Sequence, residues 1–223
     1  MRNGIGYVLA EQSQLDEALS QLEAALVIRA EVGDRAGEGR TLKNLGDVHI
    51  QLGQPARALD CYQRAEVIAR EVGDRHREGQ AKHGLGVALT ELGQFAEAEK
   101  RLDQALAIRR EVNDLPGEAR TRFRLANARR DQGRYSEAQD DYDASLAMLH
   151  AVGDRYHEGL VLWQMGVAAQ RRGERLMAHA LWRQAVEILD PMGCTEATQL
   201  RRLLADEHGG GDQPAARPIG TCV

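Results

Sequence analysis

Apolar residues in this chain return at three- and four-residue intervals: Leu42, Leu45, Val48 and Leu52 form one stripe, and Ala58, Leu59, Tyr62, Ala65 and Ile68 form a second. Spacing near the helical period puts each set on one face of an α-helix. Between them, Gly53-Gln54-Pro55 supplies a stop and a start. Gly suits the left-handed residue that follows a helix, and Pro suits the first turn of the next. The pattern predicts a first helix over about 36–52 and a second ending near Val72, before Gly73-Asp74. Two such helices joined by a tight turn make a hairpin.

The hairpin is written into the chain repeatedly. Gly33-Asp34-Arg35, Gly73-Asp74-Arg75, Asn113-Asp114-Leu115 and Gly153-Asp154-Arg155 stand 40 residues apart, with Gly193 one step further. Small residues keep the same step: Gly6, Gly46, Gly86, Ala126 and Gly166; Ala18, Ala58, Ala98, Ala138 and Ala178; Ala25, Ala65, Ala105, Ser145 and Ala185. Bulky columns accompany them: Leu22, Tyr62, Leu102, Tyr142 and Trp182; Ile28, Ile68, Ile108, Met148 and Ile188; Val32, Val72, Val112, Val152 and Met192. The bulky columns are expected in the core. The small ones are expected where helices approach closely, so that leucine at Gly86 or Ala98 would overpack the stack. Self-similarity at a fixed period of this size marks an array of stacked supersecondary units, each of which buries its apolar face against its neighbours.

Composition adds exclusions. The 29 basic and 34 acidic residues give a formal net charge of -5 and are interspersed, which speaks against a nucleic-acid-binding stripe. The six Arg between Arg120 and Arg134 are interrupted by Asp131 and flanked by Glu118 and Glu137, and Arg122 and Arg129 should face away from Arg120, as on a salt-bridged helix. Cys61, Cys194 and Cys222 form no C-x-x-C pair, so neither a disulfide framework nor a metal site is expected. The start MRNGIGYVLA carries no long apolar run, and no window suits a membrane span. A soluble cytoplasmic protein without a cofactor is expected. No phosphate-binding loop, nucleophile elbow, zinc-protease or dinucleotide motif is present, and no enzyme activity is expected.

Leu45-Gly46 with Ala58, Tyr62 and Ala65, and Leu85-Gly86 with Ala98, Leu102 and Ala105, resemble the signature of the tetratricopeptide repeat. The resemblance covers roughly residues 2–193. The step of 40 exceeds the usual 34, and the proline that often ends the second helix is absent; longer helices account for both. With its E-V-G-D-R-x-x-E-G linker, this variant looks like the repeats of Leu-Gly-Asn-type G-protein adaptors. It is also similar to the C-terminal arrays of bacterial signal-transduction ATPases and antibiotic-regulatory transcription factors. The resemblance implies an all-α fold, a right-handed superhelical solenoid of antiparallel helical hairpins. Units are expected at about 1–33 (incomplete), 34–73, 74–113, 114–153 and 154–193, followed by a capping helix over 195–207 and a disordered tail over 208–223. The first unit aligns Met1 with Thr41, lacking the opening turns that would cover Ile5, Val8 and Leu9, so the chain is expected to be the C-terminal part of a longer protein or to descend from one.

In such a solenoid the first helix of each unit lines the concave surface, and its positions outside the core would meet a ligand. One column there is Asn3, Lys43, His83, Phe123 and Trp163, in which Phe123 and Trp163 are expected to be solvent-facing aromatics of a binding patch. Neighbouring positions add Arg40, Asn44 and Asp47 in one unit, and Arg120, Arg124 and Asn127 in another. Clustered guanidinium groups can grip a carboxylate or phosphate in bidentate fashion. Lys43, Arg120 and Arg124 match the basic positions of the two-carboxylate clamp in chaperone-binding repeats, while Asp47 and Gly84 depart from its asparagines. The expected function is a protein- or peptide-binding scaffold without direct nucleic-acid or membrane contact. The alternative is a ligand-sensing regulatory domain of a larger transcriptional regulator or signalling ATPase.

Overall fold

The computed structural model describes residues 14–206, and of Asp206 only the backbone. The expectations for Asn3, Gly6, Ile5, Val8 and Leu9, and for the tail over 208–223, lie outside the described residues. Among the described residues there are ten α-helices and no strands. They are α1 (Leu15–Glu31), α2 (Arg35–Gln51), α3 (Pro55–Glu71), α4 (Arg75–Glu91), α5 (Phe95–Glu111), α6 (Leu115–Asp131), α7 (Tyr135–Val152), α8 (Arg155–Arg171), α9 (Arg175–Leu189) and α10 (Thr195–Asp206), with one 3-10 turn at Asp190–Met192. The pairs α2/α3, α4/α5, α6/α7 and α8/α9 are the hairpins.

A second regularity, half the length of the first, sits in the turns. Gly33, Gly53, Gly73, Gly93, Gly133, Gly153, Gly173 and Gly193 all have φ between 64° and 83°, and Asn113 fills the one remaining position at φ 56°. These nine residues are 20 apart and end helices in the left-handed conformation that glycine adopts without strain and asparagine tolerates. The first helices then start on an aspartate. Asp34, Asp74 and Asp154 each accept a hydrogen bond from the backbone N–H three residues on, at 2.9, 2.9 and 3.2 Å, satisfying a donor that the helix start leaves unpaired. Arg35 reaches Glu71 and Arg75 reaches Glu111, tying the starts of α2 and α4 to the ends of their hairpin partners α3 and α5.

The chain divides into two compact units, one ending at Asp114 and the other beginning at Leu115. In the first, Leu42, Leu45, Val48, Ala65 and Ile68 form one apolar cluster, and Ala58, Tyr62, Leu85 and Ala88 form another. In the second, a single cluster runs from Ala119 through Tyr142, Trp163 and Trp182 to Leu200 of α10.

The glycine column is where helices meet. A Cβ on Gly46 would stand 2.5 Å from the Tyr62 ring, on Gly86 2.4 Å from Leu102, and on Gly166 2.3 Å from Trp182. One bulky column does not sit in the core as expected. Val32 is 71% exposed, and Val72, Val152 and Met192 are exposed as well. These positions fall at the helix ends, where burial runs out: α1 and α3 end just before Val32 and Val72, and α7 ends on Val152. Ile28, one turn earlier in α1, is exposed too.

Candidate functional site

In the first unit α2 carries Arg40, Lys43, Asn44 and Asp47. Arg40 is exposed, Lys43 and Asn44 are half-buried, and Asp47 is buried. Asp47 turns inward. Its Oδ1 accepts from the Tyr62 hydroxyl at 2.7 Å and its Oδ2 from Lys43 Nζ at 2.6 Å. Burial raises the Asp47 carboxyl above its ordinary pKa, and Lys43 and the Tyr62 hydroxyl only partly oppose that. Lys43 therefore serves the fold as counter-ion to a buried carboxylate. His83, on α4, is buried rather than groove-facing.

The second unit contains a matching arrangement with different chemistry. Tyr142 donates to Asn127 Oδ1 at 2.7 Å. The Arg130 guanidinium, itself buried, donates to the same oxygen at 3.3 Å and also reaches Gln164. Burial pushes the Tyr142 phenol up to about 12. Asn127 thus belongs to a polar network that joins α6 to α7 and reaches Gln164 of α8.

This equivalence makes a prediction. Asp47→Asn keeps an acceptor for Tyr62, as Asn127 does for Tyr142, and removes a buried charge; it should unfold in urea within about 1 kcal/mol of the parent, whereas Asp47→Ala should cost about 1–3 kcal/mol. An asparagine variant as unstable as the alanine one would show that the Lys43 ion pair, and not the tyrosine hydrogen bond, holds this place.

The aromatic patch expected from the sequence is not on the surface. Phe123 is 4% exposed and Trp163 1%. Phe123 packs tilted against Tyr142 with ring centroids 6.3 Å apart, and Trp163 lies in the core cluster with its backbone carbonyl accepting from Trp182 Nε1 at 3.1 Å. A first helix of this array is enclosed on more than one side. In α8 every residue from His157 to Ala169 is buried, so a position outside the main stripe is still inside the protein.

What the second unit does leave at the surface is a basic cluster. Arg120 and Arg124 stand one turn apart on α6, both half-buried. The Arg124 guanidinium carbon lies 5.2 Å from the Phe123 ring centroid, so the buried ring steadies it by a cation–π contact. Both act on His157 at the start of α8. Burial holds that imidazole below its usual pKa, Asp154 opposes the shift by hydrogen bond and charge, and Arg120 and Arg124 add to it. Elsewhere on α6, Arg122 lies 3.2 Å from Glu118, and Arg129 lies 2.5 Å from Asp141 of α7. That is the salt-bridged helix the interrupted charge pattern implied. Among the described residues, no helix is long and apolar enough to cross a membrane.

Repeated antiparallel hairpins with small residues at the crossings and glycine-ended helices define a helical-repeat protein. The sequence matches the tetratricopeptide repeat family over residues 1–71, 61–111 and 77–149. The chain belongs to that family. No curated protein sequence matches it.

Solved structures share its architecture at low identity. A Rap protein complexed with competence and sporulation factor is 15% identical with a TM-score of 0.85, over 94% of this chain and 58% of that one. A Rap conjugation gene regulator in complex with a Phr peptide is 12% identical with a TM-score of 0.81, over 92% of this chain and 57% of that one. A signal-transduction ATPase from Pyrococcus horikoshii with a tetratricopeptide repeat sensor is 16% identical with a TM-score of 0.66, over 92% of this chain and 30% of that one. The chain spans less than two thirds of the length of each.

Proposed function

We propose that the chain is a peptide-binding scaffold that takes an acidic ligand on the first-helix face of its second unit. The observation that carries this reading is the pair Arg120 and Arg124, half-buried one turn apart on α6, with the Arg124 guanidinium held over the buried Phe123 ring. Paired guanidinium groups bind carboxylates in bidentate fashion, and partial burial strengthens the contact. Two of the structural neighbours hold a signalling factor or peptide, which favours the same class of ligand. In the first unit, Arg40 and Asn44 are the positions that remain available on α2, since Lys43 is held by Asp47. A second reading, a sensor module within a longer regulator, is favoured by the neighbour whose repeats serve as the sensor of an ATPase.

The test is a fluorescence-polarisation titration of fluorescein-labelled pentapeptides, one set bearing Asp, Glu and a free C-terminal carboxylate and a matched set with Asn, Gln and a C-terminal amide. Binding should favour the acidic set, weaken with salt, and fall about tenfold or more in the Arg120→Glu, Arg124→Glu double variant with its circular dichroism unchanged. Equal capture of both sets, or an unaffected double variant, would refute the assignment.

A further inference from the structure

The 40-residue step allows two junctions to be compared position by position, one inside each unit. In the first, α3 meets α4 through a buried ionic network. Lys82 Nζ donates to Glu66 Oε1 at 2.6 Å and to Gln104 Oε1 of α5 at 3.0 Å. Arg70 reaches Glu66 and donates through Nε to Glu78 Oε1 at 3.0 Å. Glu66, Glu78 and Lys82 are all buried, and their charges are answered within the chain.

Two periods on, where α7 meets α8, the carboxylate is kept, Arg155 stands in for Arg75 beside it, and its other two basic partners are gone. Glu158 stands where Glu78 stood, but Leu146 replaces Glu66, Leu162 replaces Lys82 and His150 replaces Arg70. Glu158 is 3% exposed. Arg155 holds Oε2, while Oε1 makes no hydrogen bond, the shorter His150 ring stopping with Nδ1 3.5 Å away. In place of the missing side chains is a cavity of about 420 Å³, open to solvent. Leu146 and Leu162 line its apolar part, and Glu158, Asp143, His150 and Gln184 of α9 are among its polar lining. That volume is within the range of clefts that hold ligands. A buried carboxylate oxygen without a donor costs free energy that a ligand can recover.

We propose that this cavity binds the arginine side chain of a partner polypeptide. Its guanidinium would donate to Glu158 Oε1 as Arg70 donates to Glu78, with Asp143 adding a second negative charge. Its methylene stem would lie on Leu146 and Leu162, as arginine stems do on apolar surface. Guanidinium fits better than ammonium because the position it replaces is an arginine, and because its planar, weakly hydrated head enters a half-buried site at lower desolvation cost. The site is formed by second helices around α8, takes a cation, and is independent of the acidic ligand proposed for α6.

Nuclear magnetic resonance on the 15N-labelled full chain tests this, read at the amides of Leu146, Leu162 and Gln184. Acetyl-Ala-Arg-Ala-amide should shift them saturably with a dissociation constant on the order of 1 mM. The peptide with neutral citrulline in place of arginine should not. Glu158→Gln should weaken binding about tenfold. His150→Arg should abolish it while leaving the fold intact, since the chain then supplies its own guanidinium as it does at Arg70. Equal shifts from the citrulline peptide, or undiminished binding by folded His150→Arg, would overturn the proposal. Butylguanidinium binding as tightly as the arginine peptide would overturn its assignment to a polypeptide source.

Discussion

Changing Phe123 and Trp163 together to alanine is expected to unfold the second unit, not to blank a binding face. Both rings are buried in the cluster that runs from α6 to α10. Truncating a buried Phe or Trp to alanine costs about 3–5 kcal/mol each through lost transfer energy and the cavity left behind. The two side chains share one cluster, so the losses need not add, but even a partial sum rivals the ~5–15 kcal/mol that holds a typical domain together. Urea unfolding followed by far-ultraviolet circular dichroism would show the loss of a large part of the helical signal in the absence of denaturant. A double variant whose midpoint stays with the parent would mean that these rings are not core. Any loss of ligand capture by it says nothing about the surface, which is why the binding test rests on Arg120 and Arg124.

The misplacement of those two aromatics shows what one sequence can disclose. The 40-residue step was legible because each unit repeats its small and bulky residues at the same offsets, and the helices α2 and α3 lie within a residue or two of where stripe and turn put them. Exposure was not legible. Periodicity states which positions are equivalent, not how many neighbours enclose them, and a helix covered on several sides buries residues that a single-stripe picture leaves outside. The same logic misplaced Val32 and Val72 in the other direction.

Two further features of the sequence mark contacts that helical periodicity alone does not reveal. Along the repeats, Asp47 goes with Tyr62, Val87 with Leu102, Asn127 with Tyr142 and Val167 with Trp182: the first position is polar where the second is tyrosine and apolar otherwise, and the two polar pairs are hydrogen-bonded inside the hairpin. The retention of Glu158 beside the change from Arg70 to His150 likewise marked a junction whose charge is incompletely answered. The half-step of 20 stayed hidden because the flanks of the intermediate turns differ, as in Gly53-Gln54-Pro55 against Gly173-Glu174-Arg175.

Gly166→Leu is expected to be the most damaging single substitution in the glycine column, and its sign separates two accounts of why glycine is there. Glycine inside a helix is about 0.8–1.0 kcal/mol less favourable than alanine, so if Gly166 were an accident, both Gly166→Ala and Gly166→Leu should stabilise α8. The packing account says the reverse. A Cβ on Gly166 would fall 2.3 Å from Trp182 Nε1 and 2.5 Å from its Cδ1. The indole has nowhere to retreat: it is fully buried, and Nε1 donates to the Trp163 carbonyl at 3.1 Å. Alanine must therefore displace a buried ring and strain that hydrogen bond, and leucine must part α8 from α9. Overpacking of this kind costs about 1–3 kcal/mol or more, which exceeds the gain in helix propensity. Gly86→Leu should be milder, because the atoms met first there belong to Leu102, whose terminal carbons can change rotamer before the Ala98 carbonyl at 3.3 Å is reached. Thermal melts should therefore rank the parent above Gly86→Leu, and Gly86→Leu above Gly166→Leu. A Gly166→Ala protein melting above the parent would show that the helices do not close on this residue, and the physical reason for the small column would fall with it.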